Sequence, residues 1–394
     1  MAQELTLKSI LKDVNSKFGE STMLMGVPEM QARGTLSFGT PSLDYCLYGR
    51  LPEGTFIELN GLESSGKTTL AFLIAASYIR KEKQRNPQNP RKILFVDAEC
   101  AADRGWALKA AGYDMNDKDV PTLYLSGAGQ SAEEYFDIVR DCILTGEIGL
   151  VIFDSLTSIA GQQVNAESLE KKDMGGIAKV LGDFCKRTTG LFYKHNATFI
   201  GINGLSENIS GYGEHYITPG GKTWKRACMV RMRVQKGDYF NADRDVVAKK
   251  DAQSPAGNII EVCVDKSKVC NSDRRLGITH LSYANGIDIL WDTIDVATIL
   301  GLIESPAQGS FLVLDPDTGE VMKDSEGKEV KIRGRKNLIP YFKEHKDLWK
   351  KLYDKVCVKL AETDETNMQT FVQMLGIENI EERFSSTPVD ECVE

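Results

Sequence analysis

The sequence predicts an α/β protein with a largely parallel central sheet, an N-terminal helical arm and a small α+β C-terminal domain. Three observations carry this. From Leu36 to about Leu290, short continuous apolar runs alternate with helical patterns, as strands covered on both faces require. One of these runs, 55–59, feeds a glycine-bounded loop that opens into the apolar helical stretch 70–79. Beyond Trp291 the pattern changes to helices separated by turn-rich stretches. The expected regions are 1–35, 36–290 and 291–394.

Leu5, Leu7, Ile10, Leu11, Val14 and Phe18 mostly lie three or four apart, which gives a helix over 5–18, stopped by Gly19. A short strand at 22–25 and Pro28 follow. Two readings stay open here: an arm lying beside the core, or an ordinary packed N-terminal helix. Strands are expected at 56–60, 92–97, 122–125, 150–154, 198–203, 229–234 and 258–264. Helices are expected at 68–83, 105–111, 132–144 and 175–193. The hydrophilic stretch 81–91, with Pro87 and Pro90, reads as a surface loop. After Trp291, helices are expected at 292–303, 338–360 and 363–377, with short strands and Asp/Gly turns over 311–332. The acidic end, 378–394, reads as a solvating tail.

Composition excludes several classes. The 394 residues are 42% apolar and 26% charged, as in a soluble globular protein. No apolar run reaches membrane-spanning length, and the first residues lack a signal-peptide pattern. Nine scattered cysteines without a C-x-x-C pair suit free thiols in a reducing cytoplasm and argue against structural zinc. A formal net charge of −8 argues against a protein that coats DNA non-specifically, but leaves room for a local basic groove.

The loop Gly61-Leu62-Glu63-Ser64-Ser65-Gly66-Lys67-Thr68-Thr69 has the spacing G-x-x-x-x-G-K-[ST]. Its strand–loop–helix setting points to a nucleoside triphosphate. Gly61 and Gly66 free the backbone, so that N–H groups around Glu63, Ser64 and Ser65 turn inward as an anion nest. Lys67 places a cation on the β/γ-phosphates, and Thr68, beside Thr69, offers its hydroxyl to Mg²⁺. The alternative is a chance glycine turn before a helix. Asp154 ends an apolar strand, where a parallel sheet gathers its ligand residues, and is the candidate second Mg²⁺ ligand. Glu99, after the strand 92–97, is the candidate for orienting the attacking water. A turn-starting aspartate and a surface glutamate are the plain alternatives.

These stretches, Leu62–Thr69, Phe95-Val96-Asp97-Ala98-Glu99 and Val151-Ile152-Phe153-Asp154-Ser155, together resemble the ATPase motifs of the RecA recombinase family. The lead-in Ser37-Phe38-Gly39-Thr40-Pro41-Ser42-Leu43-Asp44 and Leu51-Pro52-Glu53-Gly54 resemble it too. The resemblance runs from about Phe18 to Ile289, and its divergence is similar to that of phage-encoded members. It implies a RecA-type nucleotide-binding core using ATP and Mg²⁺. It implies that Glu99 is the catalytic glutamate, that Asp103 contacts adenine and that Trp106 stacks on it. It implies that Lys266 and Lys268 reach the ATP of a neighbouring subunit in a filament.

Two segments resemble the family's DNA-binding loops. The first, Lys171-Lys172-Asp173-Met174-Gly175-Gly176, leads into a helix with Lys179, Lys186 and Arg187. The second, 205–225, carries Gly211, Tyr212, Gly213, Tyr216, Gly220, Gly221, Lys222, Trp224 and Lys225. From Lys222 to Lys236 there are six basic residues, Arg226 among them, and no acid. That run reads as a phosphate-holding surface or as a solvated basic strand pair. At Gly204 the family usually has a polar side chain that senses the γ-phosphate, so the coupling between ATP and DNA is expected to be weakened or rerouted.

The resemblance implies a DNA-dependent ATPase that forms filaments on single-stranded DNA, takes in homologous duplex and exchanges strands. Single-strand-binding and loader proteins are its implied helpers in a cytoplasmic setting, bacterial or phage-encoded. A ring helicase on the same core and a DNA filament using ATP as a structural ligand are the rivals.

Overall fold

The computed structural model describes residues 6–18, 34–49, 51–127, 129–159, 176–207, 216–270 and 275–362. The expected strand 22–25, the loop residues Lys171, Lys172, Asp173, Met174 and Gly175, and Gly211, Tyr212 and Gly213 lie outside them. So do the expected helix 363–377 and the tail 378–394.

The described strands are, in chain order, Thr35–Leu36 (β1), Leu51–Pro52 (β2), Phe56–Asn60 (β3), Lys92–Asp97 (β4), Thr122–Ser126 (β5), Ile148–Asp154 (β6) and Thr198–Asn203 (β7). Then come Ser206–Glu207 (β8), Tyr216–Ile217 (β9), Val230–Phe240 (β10), Val246–Val247 (β11), Gly257–Ser267 (β12), Leu276–Ser282 (β13) and Gly286–Ile287 (β14). Ile303–Ala307 (β15), Ser310–Val313 (β16) and Lys331–Arg333 (β17) form a separate antiparallel sheet. The helices are Leu7–Phe18 (α1), Pro41–Asp44 (α2), Lys67–Arg85 (α3), Arg104–Ala111 (α4), Ala132–Leu144 (α5), Gly176–Lys194 (α6), Gly221–Ala227 (α7), Ile289–Ile299 (α8), Leu338–Glu344 (α9) and Lys346–Glu362 (α10).

The main sheet runs β14-β13-β12-β10-β3-β7-β6-β4-β5. From β10 to β5 every neighbouring pair is parallel. From β10 to β14 every pair is antiparallel. Side chains on a strand alternate between faces, and here both faces are apolar. Ile57, Leu59, Ile93, Phe95 and Ile152 join the cluster holding α3. Phe56, Leu94, Val96, Val151 and Phe153 join the cluster holding α5 and α6. That second cluster is rich in rings, with Phe136 stacked on Phe184 at 4.4 Å between centroids. Each such fully buried side chain contributes roughly 1.5–3 kcal/mol.

A third cluster joins the antiparallel part of the sheet to the C-terminal region. Tyr45, Ile259 and Ile278 pack there with Trp291, Ile294, Phe342, Val356 and Leu360.

Several expected boundaries move. Helix α3 runs to Arg85, so the surface loop begins at Asn86. The reason is Glu82, which is fully buried. Its carboxylate accepts from Arg85 Nε at 2.5 Å, Asn86 Nδ2 at 2.6 Å and Arg91 N at 2.9 Å. The expected helix 338–360 breaks at His345, whose backbone leaves the helical region. The expected helix 292–303 starts earlier, because Asp288 caps it by accepting from Trp291 N at 3.0 Å, and Ile303 already belongs to β15. Strands β13 and β14 and helix α7 were not expected.

Candidate functional site

The strand pairing decides where the functional residues meet. Asp97 stands beside Asp154 in the ladder, and Asn60 beside Asn203. The carboxyl ends of β3, β4, β6 and β7 therefore lie along one edge, where ligands of open α/β sheets sit.

The loop between β3 and α3 is shaped by two different constraints. Gly66 has φ +101°, a left-handed conformation that a Cβ opposes. Gly61 is needed for room, since a Cβ there would stand 2.1 Å from Val234 O. Ser64 also takes a positive φ, 56°. Glu63 and Ser64 are exposed at the tip, and Ser65 and Thr69 are buried. Lys67 Nζ donates to Gly61 O at 3.0 Å and Leu62 O at 2.6 Å, which holds the cation inside the loop. Burial lowers its pKa below the usual lysine value, while Asp154, Glu99 and Glu63 oppose that shift.

Thr68 Oγ1 donates to Asp154 Oδ2 at 2.7 Å. Burial pushes the Asp154 carboxyl up to about 6. Thr68 works against that rise, Glu99 and Asp97 add to it, and Lys67 opposes it. A hydroxyl and a carboxylate side by side are hard oxygen donors of the kind Mg²⁺ takes. The glycine-lined cradle and this pair therefore fit a magnesium nucleotide.

The turn after β4 is pinned twice. Asp97 accepts from Ala101 N at 3.2 Å, Ala102 N at 2.9 Å and the Tyr124 hydroxyl at 2.7 Å. Asp154 O accepts from Ala98 N at 2.7 Å. Glu99 is thereby presented beside the start of the next segment, which follows a cis Asp154–Ser155 peptide. Ser155 Oγ donates to Glu99 Oε1 at 2.5 Å, and Ser158 Oγ donates to the same oxygen at 2.9 Å. Glu99 is an exposed residue held at Oε1 by these two serines. The serines were missed in the sequence, although the hydroxyl run Ser155, Thr157, Ser158 stands directly after Asp154.

Asp103 caps α4, accepting from Trp106 N at 2.5 Å. Trp106 is half-buried and packs against the cluster on the α3 side. Lys266 Nζ donates to the carbonyls of Lys225 (2.6 Å), Arg226 (3.2 Å) and Cys228 (2.6 Å). Lys268 Nζ, on an exposed residue, donates to Arg226 O at 3.1 Å. Both cations thus sit at the carboxyl end of α7, where the helix dipole favours them. Burial, then the neighbouring Lys268, lowers the Lys266 pKa.

The glycine pair Gly220 and Gly221 has φ of 97° and 74°. A Cβ at Gly220 would meet Leu181 at 2.9 Å, and one at Gly221 would meet Ala178 at 3.1 Å. These glycines let α7 lie against α6. Lys179, Lys186, Lys222 and Arg226 are exposed, Lys225 is half-buried, and Lys186 pairs with Asp183 at 3.2 Å. The run that is free of acid in sequence is not free of acid in space. Arg231 Nε meets the buried Glu58 at 2.5 Å, and Arg233 Nε meets Asp265 at 3.3 Å. Glu58 also accepts from Trp224 Nε1 at 2.6 Å and Asn203 Nδ2 at 2.8 Å. Neither Arg231 nor this network was foreseen as structural. Among the described residues no helix is long and apolar enough to cross a membrane.

Comparison with known proteins gives one family. The family described as the RecA N-terminal domain matches residues 5–288. The chain is 26% identical over 383 residues to Protein RecA of Sulfurimonas denitrificans, covering 96% of this chain and 99% of that one. It is 27% identical over 362 residues to Protein RecA of Campylobacter fetus, covering 91% and 94%. It is 29% identical over 303 residues to Protein RecA of Phytoplasma mali, covering 76% and 82%. These relatives are bacterial, and the likeness to phage-encoded members finds no support among them.

Proposed function

The chain belongs to the RecA family, and on that premise we propose that it is a DNA-dependent ATPase that assembles on single-stranded DNA and exchanges strands between homologous molecules. The observation that carries this reading is the meeting of Lys67, Thr68, Asp154 and Glu99 at one sheet edge. In this reading the backbone N–H groups of residues 63–66 cradle the phosphates of ATP, and Lys67 leaves the loop carbonyls for the β/γ-phosphate oxygens. Thr68 and Asp154 hold Mg²⁺, which supplies charge neutralisation on the phosphate oxygens. Glu99, held at Oε1 by two serines, uses Oε2 to orient the attacking water. Asp103 and Trp106 bound the base.

The two lysines divide their work. An ammonium has three donors. Lys266 spends its donors on three carbonyls of its own subunit, and Lys268 spends one. Lys268 is therefore the residue with capacity left for a phosphate of a neighbouring subunit, and Lys266 positions α7. Helix α1 supports an assembling arm, since none of its described side chains is buried and Leu7 is 73% exposed. Lys179, Lys222, Lys225 and Arg226 would hold DNA phosphates, so binding is largely independent of sequence and falls steeply with salt. Homologous duplex, single-strand-binding proteins and loaders are the partners such a filament would meet.

The test is ATP hydrolysis with and without single-stranded DNA, in the wild type and in Glu99→Gln. The expected result is stimulation by DNA and a fall of about 100-fold or more in the variant. Hydrolysis indifferent to DNA would overturn the DNA-dependent reading and leave a RecA-like core serving another purpose.

A further inference from the structure

We propose that Thr157 is a positioning residue that passes the state of Glu99 to the backbone at Gly204, the residue that leads into the second candidate DNA segment. The inference rests on the reading of Glu99 as the group that faces the attacking water. Gly204 N donates to Thr157 Oγ1 at 3.3 Å. Thr157 Oγ1 lies 2.8 Å from Ser155 Oγ, and Ser155 Oγ donates to Glu99 Oε1 at 2.5 Å.

The direction of this chain follows from proton counting. A hydroxyl has one proton to give. Ser155 gives its proton to Glu99, so Thr157 must give its own to Ser155. Its oxygen is then left to accept from Gly204 N–H. Every donor points toward the carboxylate, an arrangement in which each bond strengthens the next. Ser158, 2.8 Å from Ser155 and donating to Glu99 at 2.9 Å, competes for the same carboxylate oxygen. A change in what Glu99 accepts therefore redistributes the hydroxyl protons and alters the hold on Gly204.

Glycine at 204 is part of the device. A Cβ there would stand 3.2 Å from Thr157 Oγ1 and 3.3 Å from its Cγ2. A side chain at 204 would thus press on the residue that takes its amide. Downstream, Ser206 and Glu207 pair with Ile217 and Tyr216 in a short stem. The far side of that stem is fixed: Asn203 Nδ2 donates to Pro219 O at 3.0 Å, and Arg231 donates to Thr218 Oγ1 at 2.9 Å. These donors are anchored on the buried Glu58. The near side rests on the exposed Thr157, a long and solvent-accessible bond of the kind that opens first. The stem has a fixed post and a latch, and the latch is wired to Glu99.

The experiment is amide hydrogen exchange of peptides covering Gly204, with Mg²⁺ and a non-hydrolysable ATP analogue against Mg²⁺ and ADP. It compares the wild type, Thr157→Val and Thr157→Ser, with ATP hydrolysis with and without single-stranded DNA measured in parallel. The wild type should show a difference in protection of roughly three- to tenfold between the two nucleotides, the scale of one hydrogen bond. Thr157→Val should lose it, and Thr157→Ser should keep it. Gly204→Ala, which crowds the same threonine, should lose it as well. No nucleotide-dependent protection in the wild type, or full protection in Thr157→Val or Gly204→Ala, overturns the relay. If protection behaves as expected while DNA fails to stimulate hydrolysis, the relay stands and the DNA-dependent function falls. Stimulation without a protection difference gives the opposite result.

Discussion

Asp44 shows how one buried carboxyl shapes the response to pH. It accepts from Ser37 Oγ at 2.5 Å and Phe38 N at 2.7 Å, yet burial dominates and pushes its pKa up to about 6 from 3.8, against the pull of Ser37, Phe38 and Arg80. The folded state then keeps a proton that the unfolded state has released. Its stabilising contribution is present below pH 3.8 and is lost as pH rises through about 6, a total of about 3 kcal/mol. In Asp44→Asn that slope disappears. Relative to the wild type, the variant should gain about 3 kcal/mol between pH 3 and pH 7, read from urea midpoints at each pH. A pH-independent difference would refute the assignment. At this scale the loop glycines were legible from their spacing, but the reason for Gly61 was not. Its constraint is the carbonyl of Val234, on a strand distant in sequence.

Helix α7 marks the limit of pattern reading at the scale of an element. It has seven residues, starts between two positive-φ glycines and lies inside a stretch without apolar periodicity, so nothing local announced it. Its order comes from elsewhere: Trp224 is fully buried against Phe56 and Phe199, and Lys266 holds its last carbonyls. Lys266→Ala should therefore lower the stability of the isolated subunit by about 1 kcal/mol, read by thermal melting without nucleotide. Lys268→Ala should change that melt little and should reduce hydrolysis in the assembled state. Equal melts for both variants would contradict the division of labour. By contrast, β3, β4 and β7 kept their expected ends, and α5 matched its expected span, because each carries its own period and flanking signals. For Ser155 and Thr157 the residues were visible, but their meeting with Glu99 depends on two adjacent strands ending level.

The whole molecule is tied together by the third cluster, in which the sheet's antiparallel edge and the C-terminal helices bury one another. The sequence changes pattern near Trp291, but the sharing of side chains across that point was not legible, because packing partners far apart in sequence leave no local trace. Phe342→Ala, at a side chain 1% exposed, should cost about 3–5 kcal/mol. Tryptophan fluorescence and far-ultraviolet circular dichroism should still report one coincident transition; two separated transitions would show that the C-terminal part melts alone. The same cluster sets a schedule for the newly made chain. Tyr45 leaves the ribosome roughly a quarter of a minute to a minute before Leu360 at bacterial elongation rates. Only for the last roughly 4–16 s of it, from the completion of β13 at Ser282 to Leu360, have strands β12 and β13 been made while still lacking the helices that cover them. The nascent chain must hold an uncovered greasy face until helices α8 to α10 emerge, which makes those helices the step on which chaperone demand turns.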